Sequence, residues 1–117
     1  MAAGPWTHTI GKMIGVAFPY EISRHKVVTL KTTQPYQQDW PIVKDLTTED
    51  KIYLRPETGG AVLVGTGDHG DPVADPDVPS DYIDPEHVAR IGRIVSKRMP
   101  TFTNAEYTAG WTGMYDV

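Results

Sequence analysis

The segment Asp68-His69-Gly70-Asp71 holds the residue types that most directly suggest chemistry, because clustered carboxylates can bind a hard cation. The spacing of a calcium loop and its terminal glutamate are both missing here. Aspartate beside glycine or proline is also ordinary turn chemistry. The segment therefore predicts a turn, and no metal site is expected.

Three further positions could carry chemistry. Arg55 lies two residues before Glu57, so it either forms a surface ion pair, contributing about 0–1 kcal/mol, or binds an anionic group. Ser23 and His25 are two positions apart and therefore lie on the same face of a predicted strand, but no acid completes a catalytic triad. His25 is expected to face solvent. Tyr53, in a β-type run, is on its own an ordinary strand residue.

Composition excludes several classes of function. The chain has 117 residues, which favours one domain spanning residues 1–117, and its lack of cysteine excludes disulfides and a cysteine nucleophile. With 11 basic and 15 acidic residues the net charge is −4, which argues against a nucleic-acid partner. No apolar run is long enough to span a membrane, and the first residues do not resemble a signal peptide. A cytoplasmic protein without a membrane partner is expected.

The elements that must position these residues follow from local patterns. We predict a short helix over 6–14 with a core-facing stripe that includes Trp6 and Met13, and extended structure over 19–30. Residues 41–43 predict an edge strand, and 52–56 with 61–66 predict a hairpin, since Gly59-Gly60 suits its turn.

The second half of the chain adds a loop, a helix and a strand. Residues 67–80 predict a long acidic loop with three prolines. Asp84-Pro85-Glu86 starts a helix that Pro100 ends, and its stripe of apolar residues at helical spacing predicts a buried face. Residues 105–117 predict a strand. The order indicates an α+β fold, a mainly antiparallel sheet flanked by about two helices.

Five segments together resemble FAD-dependent oxidoreductases of the D-amino-acid oxidase superfamily, most closely the glycine and sarcosine oxidase branch. They are AAGPW, PYEISRHKVVTL, IYLRPETGGAVLVGTGD, EHVARIGRIVSKRMP and AEYTAGWTGMYDV, in the order in which the family has them. The family's GxGxxG fingerprint for the dinucleotide is missing. We therefore expect the chain to be a substrate-domain fragment of a longer enzyme.

The resemblance implies an activity and a set of site residues. The activity is oxidation of an amine or amino acid, of the sarcosine, glycine or D-amino-acid type, by hydride transfer to flavin. Catalytic roles fall on Tyr53, Asp68 and His69. Tyr53 matches an active-site tyrosine of the family, the family's pocket histidine aligns with Asp68, and His69 follows it. Cofactor contacts fall on four residues, which are Ala3, Gly4, Trp6 and Gly113.

The same resemblance implies how the cofactor and the partners behave. Gly113 stands where some relatives carry a flavin-linking cysteine, so FAD is expected to bind without a covalent bond. Without the dinucleotide site, the isolated chain is expected to be inactive and not to retain FAD. Its expected partners are a small amine or amino-acid substrate and the FAD-binding domain of the same protein.

Two other functional hypotheses stay open. The chain could be a non-catalytic binding module with an acidic loop that self-associates into a homo-oligomer through exposed apolar patches and strand edges. It could also be an independent enzyme or ion-binding domain built on that loop. The resemblance ranks the oxidoreductase first and the self-associating module second.

Overall fold

The computed structural model describes residues 2–34, 36, 39–68, 71–78 and 80–117. These residues form a five-stranded antiparallel sheet in the order β2-β3-β4-β1-β5. The strands are β1 (Ile22–Lys31), β2 (Val43–Lys44), β3 (Tyr53–Pro56), β4 (Val62–Gly65) and β5 (Glu106–Asp116). The helices are α1 (Thr7–Met13) and α2 (Pro85–Arg98), with short 3-10 turns at Gly4–Trp6, Thr58–Gly60 and Pro100–Phe102. The predicted α+β class is confirmed.

The β3–β4 hairpin forms where the paired glycines predicted it. Gly59 and Gly60 have φ angles of +73° and +74°, a backbone conformation that residues other than glycine rarely adopt. The hairpin then pairs Tyr53 with Gly65 and Arg55 with Leu63. This register decides which side chains share a face of the sheet, because successive residues of a strand point to opposite faces.

Helix α2 covers one face of the sheet. The Asp84 carboxylate accepts a hydrogen bond of 2.7 Å from the His87 backbone N–H, which caps the helix as its sequence predicted. Ile91 and Val95 are fully buried against the sheet, so the predicted stripe is confirmed. The core cluster between helix and sheet contains Val28, Leu30, Tyr36, Ile52, Leu54, Val62, Val64, Ile91, Val95 and Phe102.

Helix α1 differs from its prediction. Its stripe was expected to face a core, but Trp6, Met13 and Ile14 are 40%, 75% and 59% exposed. The helix packs through Gly11 instead, where the Phe18 ring and the Val16 carbonyl occupy the space of a side chain. The core-facing assignment is therefore wrong for this stripe, which lies at the surface of the chain.

Within the described residues no helix has the length and apolar character needed to cross a membrane.

Candidate active site

A shallow depression of about 250 Å³ lies on the face of the sheet opposite α2. Residues of four neighbouring strands line it. The lining residues are His25, Val27, Tyr53, Arg55, Leu63, Trp111, Gly113 and Tyr115. Aromatic and apolar walls with a few polar groups are typical of a small-molecule site.

The strand register explains why these residues meet. Tyr53 pairs with Gly65, Gly65 with Val27, and Val27 with Trp111, so one row of side chains crosses four strands. His25 pairs with Gly113 in the next row. Residues more than 80 positions apart in sequence, such as Val27 and Trp111, therefore line one surface.

Tyr53 is positioned by the absence of a side chain at Gly65. The phenol ring of Tyr53 lies where a Cβ atom at Gly65 would stand. Burial raises the pKa of the Tyr53 hydroxyl above its usual value, with a smaller contribution from Tyr115. The hydroxyl therefore keeps its proton near neutral pH and can donate a hydrogen bond to a carboxylate or an amine nitrogen.

His25 and Tyr115 form a stacked pair at one end of the depression. Their ring centroids are 4.2 Å apart and their planes are inclined by 23°. His25 is only 7% exposed, so the prediction that it faces solvent is wrong. The reason is non-local, because Tyr115 of β5 lies across the imidazole in a diagonal cross-strand contact.

Arg55 and Glu57 form an ion pair, which is one of the two alternatives that the sequence left open. One guanidinium nitrogen of Arg55 lies 3.1 Å from a carboxylate oxygen of Glu57. The other carboxylate oxygen of Glu57 accepts a hydrogen bond of 3.0 Å from the Thr58 backbone N–H. The turn of the hairpin thus fixes the carboxylate that holds Arg55.

Asp68 does not share this depression. It lines a separate polar depression of about 190 Å³, together with Arg24, Lys26, His87 and Arg90. The structure therefore does not bring Asp68 to Tyr53. His69, the third predicted catalytic residue, lies outside the described residues. The catalytic roles of Tyr53, Asp68 and His69 remain predictions.

The four residues predicted to contact a cofactor lie on neighbouring elements. Ala3 precedes the 3-10 turn that contains Gly4 and Trp6, and this turn packs against β5, the strand that carries Gly113. The Trp6 indole N–H donates a hydrogen bond of 2.7 Å to the Asp77 carboxylate. These positions leave the predicted cofactor roles open.

Comparison with protein families decides the affiliation of the chain. The family model described as FAD dependent oxidoreductase matches residues 1–117. The chain belongs to this family of FAD-dependent oxidoreductases. The resemblance carried by the five segments is thereby confirmed. No curated protein is similar enough to the chain to count as a match.

Solved structures of two oxidases and a dehydrogenase share the fold. Glycine oxidase from Geobacillus kaustophilus is 19% identical with a TM-score of 0.72, covering 98% of this chain and 28% of that one. Iminodiacetate oxidase from a Chelativorans species is 16% identical with a TM-score of 0.73, covering 97% and 28%. L-proline dehydrogenase from P. horikoshii is 23% identical with a TM-score of 0.77, covering 97% and 29%. The chain thus spans under a third of each of these proteins.

The open face of this FAD-dependent oxidoreductase chain has room and aromatic surface for a planar ring beside Gly113. A Cβ atom at Gly113 would meet nothing within 4 Å, so the strand surface there is open to a planar group. Trp111 and Tyr115 beside it are 43% and 53% exposed and offer aromatic surface. The sequence lacks the glycine-rich fingerprint that would hold the pyrophosphate.

Proposed function

We propose that this chain forms the substrate-side wall of an enzyme that oxidises an amine or amino acid with FAD. The observation that carries the proposal is the depression opposite α2, where a protonated Tyr53 hydroxyl lies beside exposed aromatic rings. Bound FAD supplies the chemistry of accepting a hydride equivalent from the carbon next to the amine. The residues of this chain hold and orient the substrate.

Each wall residue has a physical task in this proposal. Tyr53 donates a hydrogen bond that orients the substrate, and Trp111 and Tyr115 exclude water from it. His25, stacked on Tyr115, fixes the position of that ring. Gly113 leaves room for the planar ring of the cofactor.

The names of three similar solved structures support our proposal for the substrate class. The names of the similar solved structures give glycine, iminodiacetate and L-proline, and each of these molecules joins an amine to a carboxylate. We propose that the complete protein acts on a substrate of the sarcosine, glycine or D-amino-acid type, because that type also joins an amine to a carboxylate. A cytoplasmic location belongs to the same proposal.

The test is reduction of flavin by substrate in the full-length protein that carries this chain. Under anaerobic conditions, glycine, sarcosine or a D-amino acid should bleach the absorbance of the oxidised flavin. Tyr53→Phe should slow this bleaching by about tenfold or more, because it removes one positioned hydrogen bond and keeps the ring. Tyr82→Phe, at a surface tyrosine outside the depression, serves as the matched control. Absence of bleaching by a panel of primary and secondary amines and amino acids would refute the proposal.

The isolated chain should neither retain FAD nor oxidise amines, since the dinucleotide fingerprint is missing from it. Its expected partner is the FAD-binding domain of the same protein. Purified alone and mixed with FAD, the chain should pass through a desalting column colourless. A yellow chain that oxidises amines would contradict this part of the proposal.

The exposed stripe of α1 favours a second candidate, a self-associating module. Met13 and Ile14 are 75% and 59% exposed side by side, and contiguous apolar surface of this kind promotes association. The isolated chain should then elute as a dimer or larger species, and Met13→Gln with Ile14→Gln should return it to a monomer. A monomer at high concentration would rule out this candidate.

A further inference from the structure

We propose that the polar depression on the α2 side of the sheet binds a small zwitterionic α-amino acid, with Arg24 contacting its carboxylate and Asp68 its ammonium group. This is the depression of about 190 Å³ that Lys26, His87 and Arg90 also line. The site is separate from the proposed substrate wall, and it does not depend on whether the complete protein oxidises amines.

Strand β1 separates the two depressions. His25 and Val27 line the depression opposite α2, whereas Arg24 and Lys26 line the polar depression. Successive residues of a strand point to opposite faces, so the two sets of side chains lie on opposite sides of the sheet. A ligand in the polar depression therefore does not touch Tyr53 or the aromatic rings beside it.

Several charges around the polar depression are compensated within the protein. The ammonium nitrogen of Lys26 lies 3.6 Å from a carboxylate oxygen of Asp71 and 3.6 Å from a carboxylate oxygen of Asp84. The guanidinium of Arg90 forms an ion pair with the carboxylate of Asp50. These five groups therefore leave little net charge for a ligand to neutralise.

Arg24 and Asp68 differ from these groups. Within the described part of the chain, neither side chain has an ion-pair or hydrogen-bond partner, and the two are too far apart to pair with each other. Arg24 offers five N–H donors and Asp68 a carboxylate that only accepts hydrogen bonds. The complementary ligand therefore carries an anionic group for Arg24 and a cationic group with N–H donors for Asp68.

The size of the polar depression selects a small ligand. Its volume of about 190 Å³ equals the space of roughly six water molecules at about 30 Å³ each. In an α-amino acid a single carbon joins the carboxylate to the ammonium group. One small molecule can therefore bridge two side chains that share this depression but do not reach each other.

Backbone hydrogen bonds hold the walls of the polar depression in place. The Arg24 backbone N–H donates a hydrogen bond of 2.7 Å to the Asp71 carbonyl. The Gly67 N–H, next to Asp68, donates one of 3.0 Å to the Asp50 carbonyl. A ligand therefore has to order only side chains, which keeps the entropic cost of binding low.

The experiment is an NMR titration of the full-length protein with glycine, in which the Cε1–H resonance of His87 reports on the polar depression. His87 is 9% exposed and lines this depression, so a ligand there changes the surroundings of its ring. Dithionite keeps bound flavin reduced, so that glycine is not consumed. We expect a saturable shift. Arg24→Gln and Asp68→Asn should each weaken this binding by about 10- to 100-fold, because each removes a charge-assisted hydrogen bond.

Two variants serve as controls for the position of the site. Tyr53→Phe changes the opposite face of the sheet and should leave the glycine titration of His87 unchanged. Arg93→Gln removes an exposed α2 arginine that lines a different depression, and it should also have no effect. Arg24→Lys should recover part of the affinity, because it returns the charge without the planar fork.

A comparison of ligands on the unchanged protein decides the inference even where a variant fails to fold. Acetate carries only the carboxylate and methylamine only the ammonium group, so each should bind at least about tenfold more weakly than glycine. Acetate or inorganic phosphate binding as tightly as glycine would overturn the amino-acid assignment in favour of a simple anion site. Absence of a shift with glycine, or a shift that survives both Arg24→Gln and Asp68→Asn, would overturn the site itself.

Discussion

Tyr53 and Gly65 are cross-strand partners, and the tyrosine ring lies over the glycine in the space of a missing side chain. This contact fixes the ring that carries the Tyr53 hydroxyl, which lines the depression beside Trp111 and Tyr115. A side chain at Gly65 would have to displace the ring from the face of the sheet. The relationship therefore links a residue without a side chain to the chemistry proposed for its neighbour.

Gly65→Ala should destabilise the chain by about 1–3 kcal/mol, because the added methyl group collides with the Tyr53 ring in a packed site. Urea denaturation of the isolated chain measures this cost. Gly113→Ala provides the control, since its Cβ atom would meet nothing within 4 Å and its free energy of unfolding should stay within about 0.5 kcal/mol. Equal stability of Gly65→Ala and the unchanged chain would show that the tyrosine ring is free to move.

Helix α2 and the β3–β4 turn could be predicted from the sequence, because each is determined by residues close to it in the chain. Asp84 and Pro85 begin α2 through capping and a fixed φ angle, and Gly59 with Gly60 sets the hairpin turn. Each of these signals acts within a few residues. The α+β class followed from the order of such elements alone.

The composition of the candidate site could be predicted only in part, because it depends on strand register. Tyr53 was singled out through the family resemblance, but its contact with Gly65 needs the β3–β4 pairing. Burial of His25 depends on β5, which follows it by about 80 residues in the chain. A shift of one residue in either pairing would exchange the two faces, and alternation in sequence does not choose between them.

The core-facing surface of α2 gives a second prediction. Ile91 is fully buried, so Ile91→Ala should reduce the free energy of unfolding by about 2–5 kcal/mol through lost contacts and a residual cavity. Ile14→Ala makes the same chemical change at a residue that is 59% exposed, and its effect should stay within about 0.5 kcal/mol. Thermal unfolding of both variants compares the two surfaces directly. A larger loss in Ile14→Ala would mean that α1, not α2, anchors the core.

We expect the stability of the chain to depend on pH through His87, which lines the polar depression beside Asp68. Burial, with a smaller contribution from the charge of Lys26, lowers the pKa of His87 below its usual 6.5. Among the residues that the structure describes, its buried Nε2 atom has no hydrogen-bond partner. The unfolded chain therefore binds a proton at His87 more readily than the folded chain does.

Stability should accordingly fall as the pH drops below 6.5 toward the lowered pKa of His87, and should not depend on this group above 6.5. His87→Gln removes the titrating group and should flatten the curve of unfolding free energy against pH in that window. Urea unfolding at a series of pH values measures both curves. Parallel slopes for wild type and His87→Gln would place the acid sensitivity on other groups.

Asp45 predicts a separate loss of stability at lower pH. Hydrogen bonds from the Thr47 hydroxyl, from Arg98 and from the Thr47 backbone N–H lower the pKa of Asp45 from 3.8 to about 2. Because the folded chain holds the ionised form, the contribution of Asp45 is fully present above 3.8 and is lost as the pH falls toward 2. Arg98→Met removes one of these donors and should raise the pKa of the Asp45 carboxyl, which carbon-detected NMR titration reads directly. The same change at Arg93, which has no ion-pair partner within the described residues, should leave the titration of Asp45 where it was. Should Arg98→Met leave the pKa at about 2, Thr47 alone would account for it.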